Sequence, residues 1–208
     1  LVTPDPRALA YSDDDGQAAV RLARAAIEAA VGGHRLKVPP LGEAFDRKAG
    51  VFTTLTVHAT GQLRGCIGFA EPVMPLRDAL VESARAAALE DSRFDPVEPR
   101  ELALLGVEVS LLTPPHELPA PSRGELPSQV RVGRHGLIVR RSGRSGLLLP
   151  QVAQEWSWGP EEFLEQTCRK AGLDKSAWRE SATRVLAFEA EVFSEESPGG
   201  PVRRHATP

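Results

Sequence analysis

Two strand-forming runs joined by a short turn commit the middle of this 208-residue chain to an antiparallel hairpin. The first, Phe52-Thr53-Thr54-Leu55-Thr56-Val57-His58, is rich in β-branched residues. The second, Leu63-Arg64-Gly65-Cys66-Ile67-Gly68, follows the turn Ala59-Thr60-Gly61-Gln62. Alternate residues of a strand share a face at a rise of about 3.3 Å each, which sets Arg64 and Cys66 side by side roughly 6.6 Å apart. A cation beside a cysteine favours the thiolate, the reactive form. Gly65 and Gly68 remove side chains that would hold a ligand or another backbone away. Packing is the opposing reading: with Thr60-Gly61 at the centre of the turn, Cys66 lies opposite Leu55 and Arg64 opposite Val57, and Cys66 becomes a core residue.

The remaining pattern mixes helices and strands. Ala18, Ala19, Leu22, Ala23, Ala26, Ile27, Ala30 and Val31 trace one helical face that stops at Gly32-Gly33, with Asp14 and Gln17 as its N-terminal cap. Pro75 opens a second helix that runs along Leu76, Ala79, Leu80, Ala84, Ala87 and Ala88 to Asp91. Pro99 to Leu105 makes a short helix, and Val107 to Thr113 alternates as a half-buried strand with Glu108 and Ser110 on its polar face. Residues 116–129 read as a loop. A second hairpin follows over Gly136–Arg140 and Leu147–Leu149 around Ser142-Gly143-Arg144-Ser145-Gly146. A helix from Gly159-Pro160 to Gly172 carries Glu161 and Glu162 first and Arg169 and Lys170 last, agreeing with its dipole, and Cys168 on it reads as packing. Trp156, Trp158 and Trp178 around this helix read as core or cleft wall. Val185 to Phe193 alternates as a final strand. The predicted divisions are an irregular segment 1–15, one domain over 16–193 and a disordered tail over 194–208. Without a βαβ cadence, the expected class is α+β with mainly antiparallel sheets.

At this length, 41% hydrophobic residues suffice for a core. A formal charge of -3 gives no global attraction to nucleic acid or to an anionic membrane, and no run approaches the ~18 apolar residues needed to span a bilayer. Leu1 to Pro6 lack the basic and then apolar pattern of a secretory signal. Cys66 and Cys168 form neither a CxxC pair nor a zinc constellation, so a reduced, cytoplasmic, metal-free protein is expected. Arg131, Arg134, Arg140, Arg141 and Arg144 form a basic stretch without acidic residues. It has no interleaved aromatics for base stacking and reads as a solvated hairpin rather than an RNA site.

Further segments join the hairpin in an ordered set: Gly50-Val51-Phe52-Thr53-Thr54-Leu55, Asp91-Ser92-Arg93-Phe94, Glu108-Val109-Ser110, Arg134-His135-Gly136-Leu137, Leu147-Leu148-Leu149-Pro150-Gln151-Val152, and Phe163-Leu164 through Thr167-Cys168-Arg169-Lys170-Ala171-Gly172-Leu173. From about Gly16 to Val192 this set resembles the AMMECR family, also called protein A of the AmmeMemoRadiSam system. The resemblance implies an α+β fold of two interleaved subdomains, the larger holding the glycine-cysteine motif, with a cleft between them. It implies company with a Memo-type protein and a radical-SAM protein, but no assigned reaction. Phe69-Ala70 departs from the commoner Thr-Phe of the family. Nothing in these residues binds iron or an iron-sulfur cluster, so no cofactor is expected on this chain.

Two functional readings follow. In the first, the chain is an enzyme with Cys66 as nucleophile, Arg64 as anion holder or thiolate stabiliser, His135 as base and Glu108 orienting that base. The plainer alternatives are a backbone-bonded His135 and a solvated Glu108. In the second, the chain is a binding or scaffold module whose cleft captures a small anion, nucleotide or peptide through Arg64 and the Gly65 and Gly68 backbone, with Gln151 as a further contact.

Overall fold

The computed structural model describes residues 11–120 and 122–205. Helix α1 (Asp13–Gly32) starts at Ser12, whose hydroxyl accepts the Asp15 N–H at 3.1 Å while the Asp15 carboxylate accepts the Ser12 N–H at 2.9 Å. This reciprocal cap, not Asp14 with Gln17, starts the helix, so the expected irregular segment is already helical from Asp13. Residues 1–10 lie outside the described residues. Gly33 ends the helix at φ 66°, a left-handed conformation that needs no Cβ there.

Strands β1 (Val51–Val57) and β2 (Gln62–Phe69) form the expected hairpin, followed by α2 (Leu76–Leu89) and β3 (Leu105–Leu112). The predicted loop over 116–129 instead contains a short β4 (His116–Glu117) and one turn of helix, α3 (Leu126–Gln129). Then come β5 (Gly136–Arg141), β6 (Arg144–Leu148), α4 (Pro150–Glu155), α5 (Pro160–Lys170), β7 (Arg184–Phe188), β8 (Ala190–Glu195) and β9 (Val202–Arg204). One sheet has the order β2-β1-β3-β8-β9 and the other β4-β7-β5-β6. The fold is therefore α+β with two mainly antiparallel sheets.

The described chain divides into two compact units, residues 11–112 with 191–205, and residues 113–190. The second is inserted into the first. The predicted strand from Val185 to Phe193 is thus two strands in different sheets, β7 and β8, broken at Glu189. Alternation continues through the break, and alternation alone cannot report which sheet a residue joins. Within the tail read as disordered, the described residues 194–205 carry the end of β8 and all of β9; residues 206–208 lie outside the described residues. Strand β9 pairs with β8, Arg204 bonds Asp13 at 2.7 Å, Glu191 at 2.5 Å and the Tyr11 carbonyl at 2.7 Å, and its guanidinium lies over the Phe193 ring. Polar anchors hold this segment, and they leave no apolar period to read.

In the first unit, Val51 and Leu55 of β1 and Val107, Val109 and Leu111 of β3 are buried against Ala19, Leu22, Ala23 and Ile27 of α1 and Leu76, Leu80 and Ala84 of α2. Each fully buried leucine contributes roughly 1.5–3 kcal/mol. By strand alternation, Phe52, Thr54, Cys66, Gly68, Glu108 and Ser110 occupy the opposite face, where they are only partly buried. In the second unit, Phe163, Leu164 and Cys168 of α5 pack with Leu137, Val139, Val185, Ala187 and Trp178. Trp178 is core as expected, whereas Trp156 is 66% exposed and stacks on Trp158.

Candidate functional site

The hairpin turns through four residues rather than two, with the N–H groups of Thr60 and Gly61 both on the Val57 carbonyl and Gly61 at φ 69°. The register runs Val57↔Gln62 and Thr56↔Leu63, then Leu55↔Gly65 and Thr54↔Cys66, leaving Arg64 as an extra residue on β2. Such a bulge re-aims one side chain and slips the register by one. Cys66 consequently stands opposite Thr54, not Leu55, because a one-residue slip exchanges the faces of a strand. It is partly exposed rather than core, and the Thr54 hydroxyl donates to its Sγ at 3.3 Å.

The bulge sends Arg64 elsewhere. Its Nε and Nη2 grip the two carboxylate oxygens of Glu101 at 2.9 and 3.0 Å, and Nη1 donates to the Asp95 carbonyl at 2.9 Å. This fork holds the Glu101 carboxyl below its ordinary pKa and commits the arginine to structure. Arg93, not Arg64, is the arginine that bonds Cys66, and it does so at the backbone, its Nη2 donating to the Cys66 carbonyl at 3.2 Å. Asp91 ties loop to strand: it accepts the Cys66 N–H at 2.8 Å and the Arg93 Nε and Nη2 at 2.9 and 2.7 Å. The Arg93 hydrogen bonds are the largest influence holding the Asp91 carboxyl far below the usual carboxylate range, against its burial. Phe94 lies beside both guanidiniums, 6.0 Å from that of Arg64 and 5.5 Å from that of Arg93.

Neither glycine opens space for a ligand. A Cβ on Gly65 would strike the Ala87 carbonyl of α2, and one on Gly68 would strike the Val51 carbonyl and the Phe52 ring. Both admit neighbouring protein, which is the second of the two roles expected for them, close approach of another backbone.

Thr54 on β1, between β2 and β3, is in register with Cys66 on one side and with Glu108 on the other, so the three side chains form one row across these three strands. Beyond Glu108, His205 Nε2 lies 3.8 Å from Glu108 Oε2 and 2.6 Å from Ser194 Oγ. Burial pushes the Glu108 carboxyl above its ordinary pKa, opposed by His205 and Arg203.

His135 belongs to the second unit. It is buried, its Nδ1 accepts the Arg131 N–H at 3.2 Å, and its Nε2 is 3.7 Å from Glu189. Burial pushes its pKa down, against the pull of Glu189. The carboxylate beside His135 is therefore Glu189, not Glu108, and the expected base-orienter pair is replaced by two separate histidine-carboxylate pairs. Gln151 is exposed on α4 of the second unit. In the basic stretch, Arg134 pairs with Glu189, Arg141 with Glu180, and Arg144 with the Gly172 carbonyl. Among the described residues, no group of three or more His, Cys, Asp or Glu side chains is placed to hold a metal ion, and no helix is long and apolar enough to cross a membrane.

Sequence reasoning overlooked Thr54, Asp91, Arg93, Ser194 and His205 as site residues. Thr54, Asp91 and Arg93 stand in family segments, but placing Thr54 beside Cys66 needed the true register, and His205 lies where no periodicity marks it.

Residues 20–193 match the model of the AMMECR1 family. Protein TK0174 of Thermococcus kodakarensis is 49% identical over 197 residues, covering 92% of this chain and 96% of its own. A protein of Methanothermobacter thermautotrophicus is 50% identical over 187 residues, covering 89% and 96%, and one of Aquifex aeolicus is 47% identical over 186 residues, covering 89% and 95%. The crystal structure of the uncharacterized protein PH0010 from Pyrococcus horikoshii superposes with a TM-score of 0.76 at 45% identity, over 95% of this chain and 99% of that one. With its family segments in order and its two antiparallel sheets matched to that structure, the chain belongs to the AMMECR1 family.

Proposed function

We propose that the polar face of the five-stranded sheet is a small-molecule site and that Cys66 is its reactive thiol. One observation carries the reading: Cys66 is partly exposed with a hydroxyl donor on its sulfur, while Cys168 is fully buried. An anion-binding module centred on Arg64 is less well supported, because Glu101 and two backbone carbonyls already take its hydrogen bonds. In this reading the chain works in a reducing compartment, the cytoplasm, where the thiol persists. Memo-type and radical-SAM companions, which the family resemblance implies, would act in the same pathway.

Alkylation of the folded protein, followed by mass spectrometry at each cysteine, tests the thiol. Cys66 is expected to react in the folded state and Cys168 only on unfolding. If Cys66 stays unmodified until the protein unfolds, the thiol reading is wrong. Co-purification with the two companion proteins tests the partnership, and its absence under reducing conditions counts against it.

A further inference from the structure

The row beside Cys66 ends in three groups that the thiol reading leaves unused. His205 follows β9 and is fixed by its N–H on the Val192 carbonyl at 2.8 Å, with Nε2 against both Ser194 and Glu108. Glu108 stands across Thr54 from the thiol and keeps 37% of its side chain exposed, so it can meet a bound molecule. We propose that Glu108 is the proton donor of the Cys66 site, that His205 and Ser194 are its positioning residues, and that the substrate is a small conjugated carbonyl compound. This rests on Cys66 being the reactive thiol.

Two features select that substrate class. Acyl transfer at a cysteine benefits from backbone N–H donors aimed at the developing oxyanion. Here the N–H of Cys66 is committed to Asp91 and is not free to serve as such a donor, which leaves that role to a side chain such as Glu108. The second feature is distance. Cys66 and Glu108 sit two strands apart, about 10 Å at the level of the backbone, and the longer glutamate side chain closes part of that gap. A plain carbonyl holds its oxygen one bond from the attacked carbon, whereas a conjugated carbonyl attacked at its far alkene carbon holds it three bonds away, toward the carboxyl. Burial also favours the protonated carboxyl, while His205 and Arg203 are the charged groups that oppose it.

In the step, the sulfur lone pair forms the S–C bond at the alkene carbon and the π electrons shift onto the carbonyl oxygen. That oxygen takes the Glu108 proton, and the enol tautomerises. The thiol proton passes to solvent and Glu108 regains one from solvent, so S–H adds across C=C with nothing oxidised or reduced.

The test compares two probes on Cys66 from about pH 5 to 8: methyl vinyl ketone, whose addition builds charge on a carbonyl oxygen that a donor can neutralise, and iodoacetamide, whose displacement does not. Glu108→Gln is expected to slow the ketone about tenfold at the acid end while changing iodoacetamide by less than about twofold. The ketone's acid-side advantage fades as pH rises through the Glu108 pKa. His205→Gln removes a cation that lowers that pKa, so the fade moves to higher pH. Thermal melts confirm that each variant is folded. If wild-type Cys66 reacts with both probes and Glu108→Gln changes neither, or slows both equally, the donor role is overturned while the thiol reading stands. If wild-type Cys66 reacts with neither probe, both fail.

Discussion

In the five-stranded sheet, the face under α1 and α2 is mainly aliphatic, with the buried pair Thr53 and Ser83 hydrogen-bonded to each other, while the other carries Cys66, Thr54, Glu108 and Ser110. The four-stranded sheet has no such division: Leu137, Val139, Val185 and Ala187 are buried in the core with α5, and the alternate residues Ile138, Leu186 and Phe188 are buried as well. A sheet buried on both faces reads as a nearly continuous apolar run and leaves little room for chemistry, whereas a half-solvated face keeps polar side chains available. The two cysteines follow their surroundings. Cys66 sits on the polar face, and burial pushes the Cys168 thiol up to about 11.

The largest expected effect breaks or keeps this contrast directly. At neutral pH the folded protein should show Cys66 labelled and Cys168 at least about 100-fold slower, because burial both closes access to Cys168 and disfavours its thiolate. Comparable labelling of the two cysteines in the folded state would erase the contrast.

Next in size is the network that ties the motif strand to its neighbours. Arg64→Ala leaves the partly buried Glu101 carboxylate without its partner and should destabilise the protein by about 3 kcal/mol in denaturant melts. Asp91→Asn should cost about 2 kcal/mol near neutral pH. The Asp91 pKa is depressed in the fold, so its contribution is present above the unfolded value of about 3.9 and is lost as pH falls toward the folded value. The stability gap between wild type and Asp91→Asn should therefore shrink below about pH 4.

A smaller effect shows where the two sheets agree. Gly65 lets the Ala87 backbone of α2 approach one sheet, and Gly146 lets the Ala171 backbone at the end of α5 approach the other. Alanine at either position should cost about 1–3 kcal/mol. A silent Gly65→Ala would mean that α2 is held less closely than α5. Smallest is His205→Gln, which should lower stability by less than about 1 kcal/mol because both side chains of its contact with Glu108 are more than a third exposed. A larger loss in thermal melts would make this histidine a structural clamp.

Much of this architecture is legible along the chain because helices and hairpins announce themselves through local rules. The apolar stripe of α1 with its glycine stop, Pro75 before α2, and the charge order of α5 each report on residues a few positions apart. The candidate site was legible only in part. Cys66 stood out by its neighbours in sequence, but its face depended on one inserted residue, and a one-residue slip reverses every side chain beyond it. His135 and Glu108 invited pairing as residue types, yet each has a partner of its own within its unit, Glu189 and His205.

Sequence by itself determined the fold class, the positions of the main helices and hairpins and the family, because periodicity, caps and motifs are short-range properties. Tertiary structure decided that Arg64 is a structural fork, that the strand over 185–193 divides at Glu189, and that His205 is brought beside Glu108. Those outcomes depend on partners as much as 97 positions apart along the chain, and such pairings are selected by packing and charge in space rather than by any local pattern.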